Sequence, residues 1–89
     1  MTVYECIEFL KSKEEETVIV SLNGIITTQI EMKKIRLIYE EGYLTLEDVE
    51  GLVNQIKFNL HQLRKSTLVK ENQILLEFEQ LQNVRISVK

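Results

Sequence analysis

Apolar and polar residues alternate along much of this chain, and a period of two is typical of strands that bury one face. The pattern is clearest over 35–48, where apolar residues occupy nearly every second position on both sides of an interruption at 40–42. Gly42 ends the interruption, and glycine is a common turn residue because it tolerates positive φ. We therefore predict a two-stranded hairpin over 35–48 and expect the rest of the chain to pack onto it.

The same alternation predicts two further hairpins. A strand is predicted over 17–23, and the pair Asn23-Gly24 predicts a type I′ turn, which needs positive φ at both central residues. The returning strand is predicted over 25–30, either ending there or continuing, bent by a bulge, into 35–39. Near the end of the chain, strands at 73–79 and 84–88 are predicted to pair around 80–83, with one more short strand at 67–69.

Before the first strand, the spacing of apolar residues changes to that of a helix. Thr2 and Glu5 match the capping box, in which each side chain satisfies a free backbone N–H at the helix start. Val3, Cys6, Ile7 and Leu10 then form one apolar stripe. We predict a helix over 3–13 with a buried Cys6, followed by an exit loop at 14–16 whose three glutamates are solvated.

Residues 45–66 match two patterns. Apolar residues at 49, 53, 56, 60 and 63 fall at helical spacing, with Thr45 and Asp48 available to cap the start. Strands are indicated by the alternation of Ile56, Phe58 and Leu60 with polar residues, and by Gly51, since glycine inside a helix costs about 1 kcal/mol relative to alanine. We favour strands, and a second helix at about 46–65 is the alternative.

Size and composition place the chain among small globular domains. Its 89 residues predict one domain, 1–89, with a modest core that favours self-association. One cysteine forms no internal disulfide, and no apolar run reaches the roughly 20 residues of a membrane span, so we expect a cytoplasmic protein without membrane contact.

The net charge of −3 is unevenly distributed. Residues 1–50 hold eleven acidic and five basic residues, whereas residues 51–89 hold three acidic and six basic residues. No acidic residue lies between Glu50 and Glu71, a segment that contains Lys57, Arg64, Lys65 and Lys70. Such charge asymmetry is typical of a protein that binds an anionic partner or associates with itself, so we select these four residues as a candidate partner-binding patch. A larger form of the patch would also include Lys33, Lys34 and Arg36.

Catalytic and metal-binding patterns are missing from the sequence. One His and one Cys, 55 positions apart, do not predict a metal site, and His61 has no nucleophile at a familiar spacing. The paired carboxylates fall in predicted loops or on solvated faces, and the sequence has no glycine-rich phosphate loop. We expect neither an enzyme nor a cofactor.

One family resemblance covers about the first half of the chain. It rests on the N-terminal helix, on Val18-x-Val20-x-Leu22-x-Gly24 and on Gly42-x-Leu44 with Asp48. These features resemble the first motif of the Sm-like small barrels. The resemblance implies a five-stranded, strongly bent barrel that assembles into rings and commonly binds RNA.

Two positions depart from that family. Leu52 stands where the family has an asparagine four residues after Asp48, and Arg64 is followed by Lys65 rather than by glycine. These departures argue against RNA binding through the family's usual pocket.

The sequence therefore predicts a mostly β fold, a small bent antiparallel sheet or barrel of SH3-like or Sm-like form with an N-terminal helix. An α+β fold is the alternative. For function we expect a non-catalytic interaction or assembly module whose sheet edges pair in a homodimer or ring. RNA binding through Lys57, Arg64, Lys65 and Lys70 is the alternative, and nucleic acid is the less favoured partner.

Overall fold

The computed structural model describes residues 1–50 and 55–89 and, within them, one α-helix and eight strands. The helix is α1 (Val3–Lys11). The strands are β1 (Val18–Asn23), β2 (Thr27–Met32), β3 (Ile35–Glu40), β4 (Tyr43–Asp48), β5 (Gln55–Asn59), β6 (Leu63–Lys70), β7 (Gln73–Phe78) and β8 (Gln82–Val88). Single 3₁₀ turns at Leu60–Gln62 and Glu79–Leu81 connect β5 to β6 and β7 to β8.

The strands form two antiparallel sheets. The large sheet has the order β2-β1-β8-β7-β6, and the small sheet has the order β3-β4-β5. The predicted mostly β fold with an N-terminal helix is confirmed. Its closed-barrel version is wrong, because no ladder joins the two sheets in the residues that the structure describes.

The core lies between the inner faces of the sheets, under α1. Alternation places Val18 and Val20 of β1 on the same face as Ile74 and Leu76 of β7, and all four are fully buried. The stacked rings of Phe58 on β5 and Phe78 on β7, with centroids 5.9 Å apart, connect the small sheet to the large one.

The helix begins as predicted and ends two residues early. Thr2 accepts a hydrogen bond from the Glu5 N–H while the Glu5 carboxylate accepts one from the Thr2 N–H, which completes the capping box. Hydrogen bonding by Thr2 lowers the pKa of the Glu5 carboxyl. Cys6 and Leu10 are buried beneath the helix, as the apolar stripe predicts.

The exit loop of the helix has a structural role that its charge did not suggest. The Glu15 N–H donates to the Ile35 carbonyl, and the Ile35 N–H donates to the Glu16 carbonyl. The Glu14 carboxylate accepts from the Leu37 N–H at 3.0 Å. The acidic run therefore satisfies part of the outer edge of β3, chiefly through its backbone. The side chains of Glu15 and Glu16 are exposed, as predicted, whereas the Glu14 carboxylate is half-buried and bonded to β3.

The type I′ turn lies in a different hairpin from the one predicted. Glu41 and Gly42 have φ values of +52° and +81°, and Glu40 pairs directly with Tyr43, as a two-residue type I′ turn requires. Asn23 has no positive φ and pairs with Thr27, so the β1–β2 connection is the three-residue loop 24–26.

The uncertain segment folds as strands. Within 45–66, the described residues belong to β4, a bend at 49–50, β5, a 3₁₀ turn and β6, so a second helix over 46–65 is wrong for them. Gly51 and the rest of 51–54 lie outside the described residues. The predicted bend between β2 and β3 is a break at Lys33-Lys34, where the chain passes from the large sheet to the small one. Bulges occur instead on β6, at Arg64 and Val69.

The β3–β4 turn predicts a specific sensitivity to side-chain size. Gly42→Ala should lower the free energy of unfolding by about 1–3 kcal/mol, because alanine is strained at positive φ and its Cβ would clash with the His61 ring. Urea unfolding followed by circular dichroism measures the change.

Gly24→Ala is the matched control, because a Cβ there meets nothing closer than Gln82 Cγ at 3.9 Å and the backbone needs no positive φ. The control should change stability by less than about 1 kcal/mol. Equal losses of unfolding free energy in the two variants would contradict the type I′ turn assigned between β3 and β4.

Candidate functional site

An open groove separates β5 from one end of the large sheet. Its volume is about 560 Å³. Its lining comes from residues 22–26 at the end of β1 and the following loop, 56–59 of β5, Gln62, Phe78, and 82–84 of β8. We call this set of residues the groove. A volume of this size is within the range of small-ligand and peptide-side-chain sites.

The groove runs along the edge of β5 rather than over one of its faces. Four consecutive residues of β5, 56–59, line it. Successive side chains of a strand point to opposite faces, so a cavity that touches all four must lie beside the backbone. Because β5 is the last strand of the small sheet, this is its unpaired edge.

The hydrogen-bond pattern shows which backbone groups of β5 face the groove. Leu60 donates its N–H to the Gly42 carbonyl at 2.8 Å, in the same register as the β4–β5 ladder. Antiparallel strands alternate inward and outward backbone groups, so Ile56 and Phe58 bond to β4 while Lys57 and Asn59 point away from it. Among the described residues, no strand pairs with the outer side of Lys57 or Asn59, and the Asn59 carbonyl accepts the first bond of the 3₁₀ turn that follows β5.

The floor of the groove is apolar and its rim carries exposed isoleucines. Phe58 and Phe78 are 6% and 9% exposed, so their stacked rings form a nearly buried floor. Ile25 and Ile26, in the β1–β2 loop, are 107% and 76% exposed. Two adjacent, highly exposed isoleucines next to an apolar cleft are typical of an interaction surface.

The polar part of the lining is rich in amides and poor in acid. Amide side chains are contributed by Asn23, Asn59, Gln62, Gln82 and Asn83. Among the described residues of the lining, no side chain is acidic and Lys57 is the one cation. The groove therefore offers hydrogen-bond donors and acceptors above an apolar floor, with a positive charge at one side.

Three of the four residues of the predicted patch lie around this end of the molecule. Arg64 and Lys65, with Glu77, line a second pocket of about 420 Å³ that shares Phe78 and Asn83 with the groove. Arg64 is the extra residue of a β-bulge, an irregularity that redirects side chains. Lys65 lies directly opposite Glu77 on the outer face of the large sheet.

Lys70 does not belong to the same surface. It lies at the far end of β6, where it pairs with Gln73, so the predicted four-residue patch is split. The additional residues Lys33, Lys34 and Arg36 lie at the start of β3 or just before it, and Lys34 is ion-paired with Glu15 at 3.1 Å.

Lys57 has an aromatic neighbour that sequence analysis missed. Its Nζ lies 4.8 Å from the centroid of the Tyr43 ring, and Tyr43 is exposed on the outer face of the small sheet. The register places Tyr43 opposite Asn59 and places Lys57 opposite Thr45, one position further along. This cation–π contact places the ammonium group over Tyr43 of β4, on the outer face of the small sheet.

His61 and Ser66 have structural partners rather than catalytic ones. The His61 ring lies against Gly42, and its backbone N–H donates to the Asn59 side chain at 3.0 Å. Ser66 is buried, and its hydroxyl donates a hydrogen bond to the Met1 carbonyl at 3.0 Å. The Met1 amino group in turn donates to the Ser66 carbonyl at 3.0 Å. The two residues fix a turn and the start of the chain.

Residues 1–50 and 55–89 contain neither a metal-binding cluster nor a membrane-spanning helix. No three His, Cys, Asp or Glu side chains in these ranges converge as a metal-binding group. The helix that they contain is too short and too polar to cross a membrane.

Comparison with known proteins identifies no relative: no family model, curated protein or solved structure matches the chain. The Sm-like resemblance and the RNA binding that it implies therefore stay predictions. The groove itself carries the functional argument.

Sequence analysis missed most of the groove because its walls come from distant parts of the chain. One local signal was present, since the adjacent pair Ile25-Ile26 directly follows a turn-forming Asn-Gly pair. Apolar residues at the tip of a hairpin bury nothing in their own sheet, which marks them as candidates for contact with another molecule.

The single thiol is predicted to be inert in the folded protein. Cys6 is fully buried, and this burial raises the pKa of its thiol to about 11, which lowers the thiolate fraction near neutral pH roughly 100-fold relative to an exposed cysteine. Iodoacetamide should label native protein far more slowly than protein in urea, as measured by mass spectrometry.

A helix variant provides the control for this labelling. Tyr4 lies on the same helix and is 80% exposed, so the variant Cys6→Ala/Tyr4→Cys should react rapidly without denaturant. Rapid labelling of native wild-type Cys6 would show that α1 does not cover it.

Proposed function

We propose that this protein is a non-catalytic interaction module and that the groove is its partner-binding surface. The observation that carries the proposal is the unpaired edge of β5, which borders an apolar cavity rimmed by exposed isoleucines. Exposed sheet edges are often covered, and an edge whose outward backbone groups border an apolar cavity offers a template for pairing.

The geometry of the titratable side chains supports a role without catalysis. Acid–base chemistry needs carboxyl, imidazole or thiol groups with perturbed pKa values gathered in one cleft. The groove lining contributes a lysine, amides and apolar groups. The Cys6 thiol, whose pKa is raised, lies buried under α1 and does not line the groove.

Nucleic-acid binding is the alternative function for this end of the molecule. Lys57 beside the exposed Tyr43, together with Arg64 and Lys65, provides cations near an aromatic ring. Phosphate contacts weaken steeply with salt, so binding of random single-stranded RNA across a salt series separates the two functions. Our proposal predicts no RNA binding at low salt.

An anionic aromatic dye tests whether the groove accepts ligands. Anilinonaphthalene sulfonate combines an apolar ring system with one negative charge, which matches the apolar floor and Lys57. In a titration followed by ¹H–¹⁵N NMR, the amides of 22–26, 56–59 and 82–84 should shift most, with saturable binding by native protein.

The variant Ile25→Asp/Ile26→Asp removes the apolar rim and should lower the affinity for the dye at least several-fold. Leu68→Asp is its matched control, because Leu68 is another exposed apolar residue but lies on β6, outside the groove. Dye shifts on a different surface, or equal weakening by both variants, would contradict the proposal. Light scattering of the dye-free protein separates a free groove from one already filled by a second copy.

A further inference from the structure

We propose that the groove binds an extended peptide segment of another protein as an added strand along β5, with alternate apolar side chains on the floor and acidic residues toward the basic side chains. This inference rests on the proposed function and specifies the partner. Strand addition to an exposed sheet edge is a recurrent mode of peptide recognition, in which backbone bonds provide affinity and alternate side chains provide specificity.

The backbone requirement is met by Lys57 and Asn59. Both residues present an outward N–H, two residues apart, and Lys57 also presents an outward C=O, as an antiparallel partner strand requires. The opposite side of β5 is bonded to β4, so the strand is held in place before a ligand arrives. A peptide that pairs with both residues makes three backbone hydrogen bonds, two with Lys57 and one with the Asn59 N–H, without rearrangement of the sheet.

The apolar requirement is met on one side of such a peptide. A strand paired with β5 directs every second side chain toward the inner face, where Phe58 and Phe78 form the floor and Leu22 and Val84 the far wall. The loop residues Ile25 and Ile26 also line the groove. Large aliphatic or aromatic residues at alternate positions of the peptide would bury this surface.

Charge complementarity selects acidic residues at the remaining positions. The groove lining lacks carboxylates in the part that the structure describes, and it contains Lys57. Arg64 and Lys65 line the adjoining pocket, where Glu77 is the one acidic side chain. A basic peptide would meet the like charges of Lys57 and Arg64 at this end of the molecule, which disfavours it.

The shape of the groove favours a free segment over the strand edge of a second copy. The groove has walls on two sides, β5 on one and residues 22–26 with 82–84 on the other. A single extended backbone fits between such walls at the ~4.8 Å spacing of paired strands. The β5 edge of another protomer is bulkier than a single extended backbone, because it is attached to its own β4 and 3₁₀ turn.

Peptide selection tests this inference directly. A display library of short random peptides would be selected against wild-type protein and against Lys57→Glu, and the best wild-type peptide would be measured by fluorescence polarisation. We expect alternating apolar residues interspersed with Asp or Glu, and we expect the acidic preference to weaken in Lys57→Glu. Lys70→Glu makes the same charge change outside the groove and should leave affinity within about twofold.

N-methylation separates strand pairing from side-chain docking alone. Methylation of the peptide amide that bonds the Lys57 carbonyl should reduce affinity roughly tenfold or more, while methylation of the amides on either side of it should have little effect. Because the inward face keeps its side chains in both peptides, the difference reports the backbone pairing with β5.

Several outcomes would overturn the inference. These are failure to enrich any peptide, enrichment of basic peptides, equal effects of the two methylation patterns, or self-association at high micromolar concentration that fills the groove. If no peptide is enriched while the dye still maps to the groove, the partner class is wrong and the interaction function stands. If the dye also maps elsewhere, both proposals fail.

Discussion

The structure depends on how each sheet ends, since a strand that has no neighbour leaves half of its backbone groups without a partner. Four strands occupy such positions: β2 and β6 in the large sheet, and β3 and β5 in the small sheet. The folded chain handles the four edges differently. The difference between them is the basis of the proposed function.

At two of the edges, other segments of the chain form hydrogen bonds with the edge strand. The loop after α1 bonds to Ile35 and Leu37 on β3, and Met1 bonds to Ser66 on β6. The edge of β2 is polar, and its Glu31 is hydrogen-bonded to Lys89 at 2.7 Å, a contact that lowers the pKa of the Glu31 carboxyl. Charge and polarity of this kind discourage pairing with other strands. The edge of β5 differs because it faces an apolar cleft.

Much of the fold was predictable because alternation and capping are local properties. The hairpin at 35–48, the strands at both ends of the chain and the N-terminal capping box follow from short stretches of sequence. The order of strands was not predictable, because β1 pairs with β8 across more than 60 residues and no local pattern specifies that choice. The groove depends on this pairing, so most of its walls could not be inferred.

The turns show where local rules were insufficient. Asn23-Gly24 is a strong type I′ signal, but the β1–β2 connection is one residue longer and needs no positive φ. Glu41-Gly42 adopts the type I′ geometry although glutamate is disfavoured at positive φ. Two contacts hold this turn against the end of β5. The His61 ring packs on Gly42, and the Leu60 N–H donates a hydrogen bond to the Gly42 carbonyl. Tertiary contacts thus override the sequence preference, and they also position the edge that borders the groove.

Amide hydrogen exchange along β5 measures the central claim most directly. The Lys57 and Asn59 amides should exchange quickly because they point into the groove, whereas the Ile56 and Phe58 amides should be protected by their bonds to β4. Strong protection of Lys57 and Asn59 in the isolated protein would show that the edge is already paired, and it would contradict this account.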